Sequence, residues 1–415
     1  MMTSKLPHLL AFAATLATLS TVQAQEWTRF RGPNGTGHSP ATTIPTQWTE
    51  EDYQWKVELP GTGHSSPVIW GSKAFLTCSM GPGGGMILLC LNTKDGTQIW
   101  RRDLAFPPLT LHRFNSFAAA SAVVDKDRVY VSWTSPESYT VMALTQDGDT
   151  VWERDLGPFK SQHGGGMSPM LHDGKLIIPN EQLGPSAILA LDAATGRTLW
   201  ETPRKNVRTA YSTPCIFEPK DGAPQLIFNS QAHGIYAVDP KTGNVLWEYD
   251  KAFDKRSVSS PVLAGGLILG SCGSGGGGNY VVAVKPPQSP GEQPELAYEI
   301  RRSAPYVPTS VSVGDLVFLW SDNGIVTCIH APSGEERWRE RVGGDFFGSP
   351  ICVQNRIYCI STAGEVVVID ASDTFKILAR NPLGELSHAT PAISHGRMYL
   401  RTEKHLICVG TKTSS

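Results

Sequence analysis

A short run of aliphatic residues with a small residue in its middle recurs eight times along this 415-residue chain, and nothing else in the sequence restricts the fold as much. The runs centre on Cys90, Ala143, Ala190, Ala237, Ala283, Cys328, Val368 and Cys408, at intervals of 40 to 53 residues. Before most of them stands a second β-type run, such as Val129-Tyr130-Val131 or Ile357-Tyr358-Cys359. Before that comes a strand opened by Ser-Pro or Thr-Pro at Ser66, Ser168, Thr213, Ser260, Ser349 and Thr390, with Ser121 and Ser310 in the two remaining slots. After the small-centred run, Asp192 to Gly196 leads to Trp200 and Asp239 to Gly243 leads to Trp247. Asp and Thr bond the turn backbone and Gly takes the positive-φ position, so a hairpin into a fourth strand is expected. The aromatic slot holds Trp100, Trp152, Trp200, Trp247 and Trp338, with Tyr298 and Leu378 as substitutes.

Four strands per repeat, eight times over, predict an all-β, eight-bladed β-propeller of four-stranded antiparallel blades. The eighth repeat ends after its third strand, and Gln54–Leu59, with Trp55 in the aromatic slot, supplies the missing one. An N-terminal strand completing the last blade would leave no raw sheet edge at the seam. The organisation expected is a leader over 1–24, an extension over 25–53, one propeller over 54–410 and a tail over 411–415. One aromatic per blade (Trp55, Trp100, Trp152, Trp200, Trp247, Tyr298 and Trp338) is the pattern of interblade wedges rather than of a binding site.

Lys5, the apolar stretch 6–19 and Val22-Gln23-Ala24 have the three-part form of a cleaved secretory signal, so the mature protein is expected in the periplasm or secreted. The first cysteine is Cys78, which offers no site for a lipid anchor, and no apolar run is long enough to span a membrane. A net charge of −2 without a basic block argues against nucleic acid. Of the eight cysteines, Cys90, Cys328 and Cys408 fill the small slot, and mostly free, buried thiols are expected, with one or two cross-strand bridges possible. The glycine runs Gly81–Gly85, Gly164–Gly166 and Gly273–Gly278 lack a phosphate-loop ending and read as flexible hairpin loops.

The form Ala-x-Asp-x-x-Thr-Gly-x-x-x-Trp, clearest at Ala190–Trp200 and Ala237–Trp247, resembles the pyrroloquinoline-quinone (PQQ) repeat superfamily. That group includes quinoprotein alcohol dehydrogenases and the assembly factor BamB. The opening Trp27-Thr-Arg-Phe-Arg-Gly-Pro-Asn-Gly-Thr-Gly37 is similar to the start of exported propellers of the group. The resemblance implies two functions: a non-catalytic binding or assembly scaffold with a protein or polymer partner in the envelope, or a dehydrogenase oxidising an alcohol or sugar with PQQ and calcium.

Loops that precede each first strand face the propeller axis and are the expected binding rim. They carry His64, Asn115, His163, Arg208, Tyr211, Arg256, Tyr306, Asp345, Phe346, Phe347 and His388. With Asp345 nearly the only acid, oxygen ligands for calcium are scarce, and the scaffold is the favoured expectation. Arg208 and Arg256 are the residues suited to PQQ carboxylates. His64, His163 and His388 show no ligand spacing, so no metal and no catalytic residue is expected. A monomer is expected.

Overall fold

The computed structural model describes residues 26–205, 207–289 and 291–410. The leader and the tail expected from the sequence lie outside the described residues. Eight antiparallel sheets follow one another in chain order, as the repeats predict. The first blade runs Val68–Trp70, Lys73–Ser79, Met86–Asn92 and Gln98–Leu104, from the axis outward. Strands two and three of a blade are covered on both faces by neighbouring sheets and are therefore unbroken apolar runs, whereas the outermost strand alternates. In blade three Ile188–Leu191 is wholly buried, while Thr198–Arg204 mixes exposed and buried positions. The ring closes as expected: Tyr53–Glu58 pairs antiparallel with His405–Gly410, placing Trp55 opposite Cys408.

The small slot and the aromatic slot turn out to be cross-strand partners. Cys90 faces Trp100, Ala190 faces Trp200, Ala237 faces Trp247 and Cys328 faces Trp338, each pair followed by a bulge. A small residue leaves room for the indole, and the bulge tilts it toward the next blade. There the indole N–H donates to a turn carbonyl: Trp100 to Gln146 at 2.9 Å, Trp152 to Ala193 at 3.0 Å and Trp55, across the seam, to Thr93 at 3.1 Å. The turn glycine lies flat under the ring. A Cβ on Gly196, whose φ is +71°, would stand 2.7 Å from Trp152, so the turn is both hairpin and receptor. In blade seven the same register sets Ala379 opposite Val368, so Ala379 and not Leu378 holds the aromatic position. The apolar cluster that Ala379 and Leu378 pack against also takes in Ile44 and Trp48 from the N-terminal segment.

The Ser/Thr slot has a purpose that the repeat alone did not reveal. Its backbone amide donates to the slot hydroxyl of the following blade: Ser66 to Ser121, Ser121 to Ser168, Thr213 to Ser260, Ser260 to Thr309, Thr309 to Ser349 and Ser349 to Thr390, all at 2.9–3.1 Å. In blade six the member is Thr309, one residue before the expected Ser310. These hydroxyls satisfy amides that no inner neighbour strand can reach. All eight cysteines are free and buried, so no cross-strand bridge forms, and burial drives Cys90 and Cys408 up to about 12.

The segment before the ring does not merely precede it. Trp27 bridges Ile69 of blade one, and the Thr28 carbonyl accepts the Val124 amide of blade two at 2.8 Å. Arg29 donates to the Pro214 carbonyl before blade four, and Asn34 exchanges two hydrogen bonds with Ile216. Arg31 reaches the carbonyls of Thr309 and Ser310 before blade six, and His38–Ser39 adds a parallel strand to blade seven. Blades two and six are opposite in an eight-membered ring, so residues 27–39 lie across the channel as a plug. Burial lowers Arg29 to about 10 and Arg31 to about 9, which leaves both charged at neutral pH.

Candidate functional site

On one side of the plug the channel opens into a cavity of about 1140 Å³. The nine rim residues read from the loops (His64, Asn115, His163, Arg208, Tyr211, Arg256, Tyr306, Asp345 and His388) all line it, as does Phe347. Phe346 does not: its ring packs edge-on against Trp320, 5.2 Å away, in the core between blades six and seven. Phe30, the side chain between the two plug arginines, reaches the same space, so the plug supplies part of the cavity wall. On its far side a second hollow of about 740 Å³ is bordered by Thr28, Arg29 and Asn34.

Further lining residues come from places where the repeat logic gave no pointer. His112, Arg113 and Phe114 precede Asn115 in the same loop, Arg301 follows the outer strand of blade five, and Asp322 lies in a hairpin of blade six. Phe30 belongs to no repeat. The loop before blade three is held tightly: a Cβ on Gly164, at φ +90°, would lie 2.3 Å from Leu111. Gly164–Gly166 is thus a close-packed wall, not the flexible hairpin its composition suggested.

One flank of the cavity is aromatic. His64 and His388 stand 4.6 Å apart by ring centroid, His388 stacks on Phe347 at 5.3 Å, and Phe347 meets Phe114 at 5.1 Å. His163 lies apart from that pair and packs on His112 at 4.9 Å. Burial, then His388 and Arg401, pushes His64 down to about 3. His388 is lowered by burial, and His163 by burial and then by Arg256, His112 and Arg208. These three histidines are therefore neutral at pH 7. Among the described residues no group of three or more His, Cys, Asp or Glu side chains is gathered as metal ligands are.

From Phe114 onward the wall is cationic and unbalanced. Arg113, Arg208, Arg256 and Arg301 line the cavity against two carboxylates, Asp322 and Asp345. Arg301 is paired with Glu299 at 2.6 Å, whereas among the described residues Arg113, Arg208 and Arg256 form no ion pair. Arg256 is 6% exposed, donates to Gln162 at 2.6 Å and to the Tyr306 hydroxyl at 3.5 Å, and has a buried Nε without a partner. Tyr211, raised by burial, shares a hydrogen bond with Ser161 and donates to the Gly164 carbonyl.

The oxygen atoms that a calcium ion would need are already engaged. Asp322 accepts the Tyr306 amide on one oxygen at 2.7 Å and the Val307 amide on the other at 3.1 Å. The side-chain oxygens of Asn115, Asn279 and Asn323 accept from Ser116, Ser274 and Ser321. Asp345 is exposed, and burial and then the nearby Asp345 charge raise the Asp322 carboxyl. A hard cation takes several oxygen ligands at once, and this lining does not fit one.

A closed ring of eight four-stranded blades, wedged by an aromatic residue in seven of them and crossed by a plug, defines a PQQ-like β-propeller. A family model described as outer membrane protein assembly factor BamB matches residues 137–288 and 301–413. The chain belongs to that family. A BamB from Moranella endobia (strain PCIT) is 21% identical over 275 residues, which span 60% of this chain and 66% of that protein. A polyvinylalcohol dehydrogenase from a Pseudomonas species is 27% identical over 165 residues, 36% of this chain and 24% of that one. The chain therefore spans between a quarter and two thirds of these curated relatives. Among solved structures, BamB from Moraxella catarrhalis has a TM-score of 0.61 at 14% identity, covering 87% of this chain and 97% of its own. Quinohemoprotein alcohol dehydrogenase from Comamonas testosteroni has a TM-score of 0.66 at 14% identity, covering 94% and 81%. These structural likenesses show a shared fold.

Proposed function

We propose that this propeller is an exported scaffold of the cell envelope that binds a protein or polymer partner and carries out no chemistry on it. The observation that supports this most is the lining of the cavity. Unpaired guanidinium groups and apolar rings recognise, but they do not by themselves abstract protons or hold a hard cation. Among the described residues two carboxylates line the cavity: Asp345, which is exposed, and its neighbour Asp322, whose two oxygens each accept a main-chain amide. Loops that differ from blade to blade on a rigid ring suit recognition.

The alternative is a quinoprotein dehydrogenase, favoured by the similarity to the polyvinylalcohol dehydrogenase and by Arg208 and Arg256, which suit PQQ carboxylates. The two readings part on one assay. Purified protein mixed with PQQ and calcium is expected to give no dye-linked oxidation of alcohols, polyvinyl alcohol or sugars. Turnover that disappears in D345A would overturn the scaffold reading.

A further inference from the structure

We propose that the cavity receives an acidic segment of polypeptide, with Arg256 as its anchor; this rests on the scaffold reading and names the ligand class for it. A buried cation without a counter-charge is costly, and proteins ordinarily pair it. Arg256 is buried, lines the cavity, keeps one nitrogen unbonded and bonds only uncharged side chains. A carboxylate entering the cavity supplies the missing charge.

The placement of the other arginines argues for an extended ligand. Arg113, Arg208 and Arg256 sit on the loops entering blades two, four and five, so positive charge is spread along an arc of the mouth. A single small anion satisfies one of them, whereas acidic side chains along a peptide reach several. Phe114, 44% exposed, and the rings of Phe347 and His388 form an apolar face that begins at the Arg113 end of that arc. Arg113 lies over the Phe114 ring at 4.4 Å, so charge and apolar surface adjoin. Gly275 and Gly277 bring bare backbone to the rim, where a peptide main chain can approach without side-chain collision. An acidic stretch interrupted by an aromatic residue matches all three surfaces.

The test is fluorescence anisotropy with a dye-labelled peptide of glutamates flanking one phenylalanine, against the full chain. Saturable binding that weakens as salt is raised is expected, with no binding of the same peptide carrying lysines. R256Q is expected to weaken it about tenfold or more and R208A about threefold, and R256K should not restore it because the planar fork is lost. Arg208 is exposed, so R208A reads the site even if R256Q melts early. Absence of saturable binding, or binding indifferent to both R256Q and R208A, would overturn the inference and leave the scaffold reading in place. A sulfated polysaccharide binding through Arg256 where the peptide does not would overturn it as well. PQQ that displaces the peptide and supports turnover with calcium would overturn both readings together.

Discussion

The two sides of the plug use the same residue to opposite ends. Arg29 and Arg31 are buried in it and donate to main-chain carbonyls of Pro214, Thr309 and Ser310, although each keeps a buried Nε without a partner. In the cavity, Arg113, Arg208 and Arg256 have, among the described residues, neither carboxylates nor main-chain carbonyls to hold them. A guanidinium held by main-chain carbonyls is part of the frame. One left with capacity to spare, facing open space, is available to something from outside.

Substitution on the plug side gives the largest expected effect. R31A leaves the buried carbonyls of Thr309 and Ser310 without their donor, and each such acceptor costs about 1–3 kcal/mol, so a loss of about 2–6 kcal/mol in urea unfolding is expected. R29A strands one carbonyl, that of Pro214, and is expected to cost about 2 kcal/mol by the same measurement. If R31A unfolds at the wild-type midpoint, the plug is not part of the frame and the contrast collapses.

A buried ion of the other sign sharpens the comparison. Glu181 accepts from the Tyr236 hydroxyl at 2.8 Å and from the Ala210 amide at its carbonyl, beneath the loop that bears Arg208. Burial raises its carboxyl from 4.5 to about 7. The native state then holds a proton that the unfolded chain gives up above about 4.5, so stability falls as pH rises from 4.5 to 7 and stays lower beyond. E181Q is expected to match wild type below pH 4.5 and to gain about 1–3 kcal/mol at pH 8, read from melting curves across that range. A constant difference at every pH would mean that Glu181 bears no proton of its own. The smallest effect belongs to the cavity: R208A is expected to change unfolding free energy by less than about 0.5 kcal/mol. A loss near that of R31A would show that the cavity arginines are structural too.

Blades were legible in the sequence because every copy must solve the same packing problem. A small residue has to face each indole and a glycine has to lie under it, so the chemistry repeats with the geometry. At the blade-seven bulge the aromatic slot falls on Ala379 rather than Leu378, and in blade six adjacent Thr309 and Ser310 both suit the hydroxyl slot. The rim loops were found because their position before each inner strand follows from the repeat, and that rule gathered nine residues around one cavity. Phe30 and the plug could not be found that way. They occur once, and their partners are carbonyl groups, which every residue has and no sequence motif marks. The shared slot of Ser and Thr was visible as a pattern, yet its hydroxyl belt needed coordinates, because the bonded partner is a whole blade away.

The seam between Trp55 and Cys408 carries a consequence for how the molecule is made. One of the first strands to be synthesised must wait for the last before it has a partner, so the ring cannot shut while the chain is still emerging. Until then the third strand of the final blade and the waiting strand both show unpaired edges, and pairing segments so distant in sequence is slow. Nascent chains of this design need their raw edges shielded from one another for nearly the whole of synthesis, and removing His405–Gly410 would leave the edge of Tyr53–Glu58 open for good.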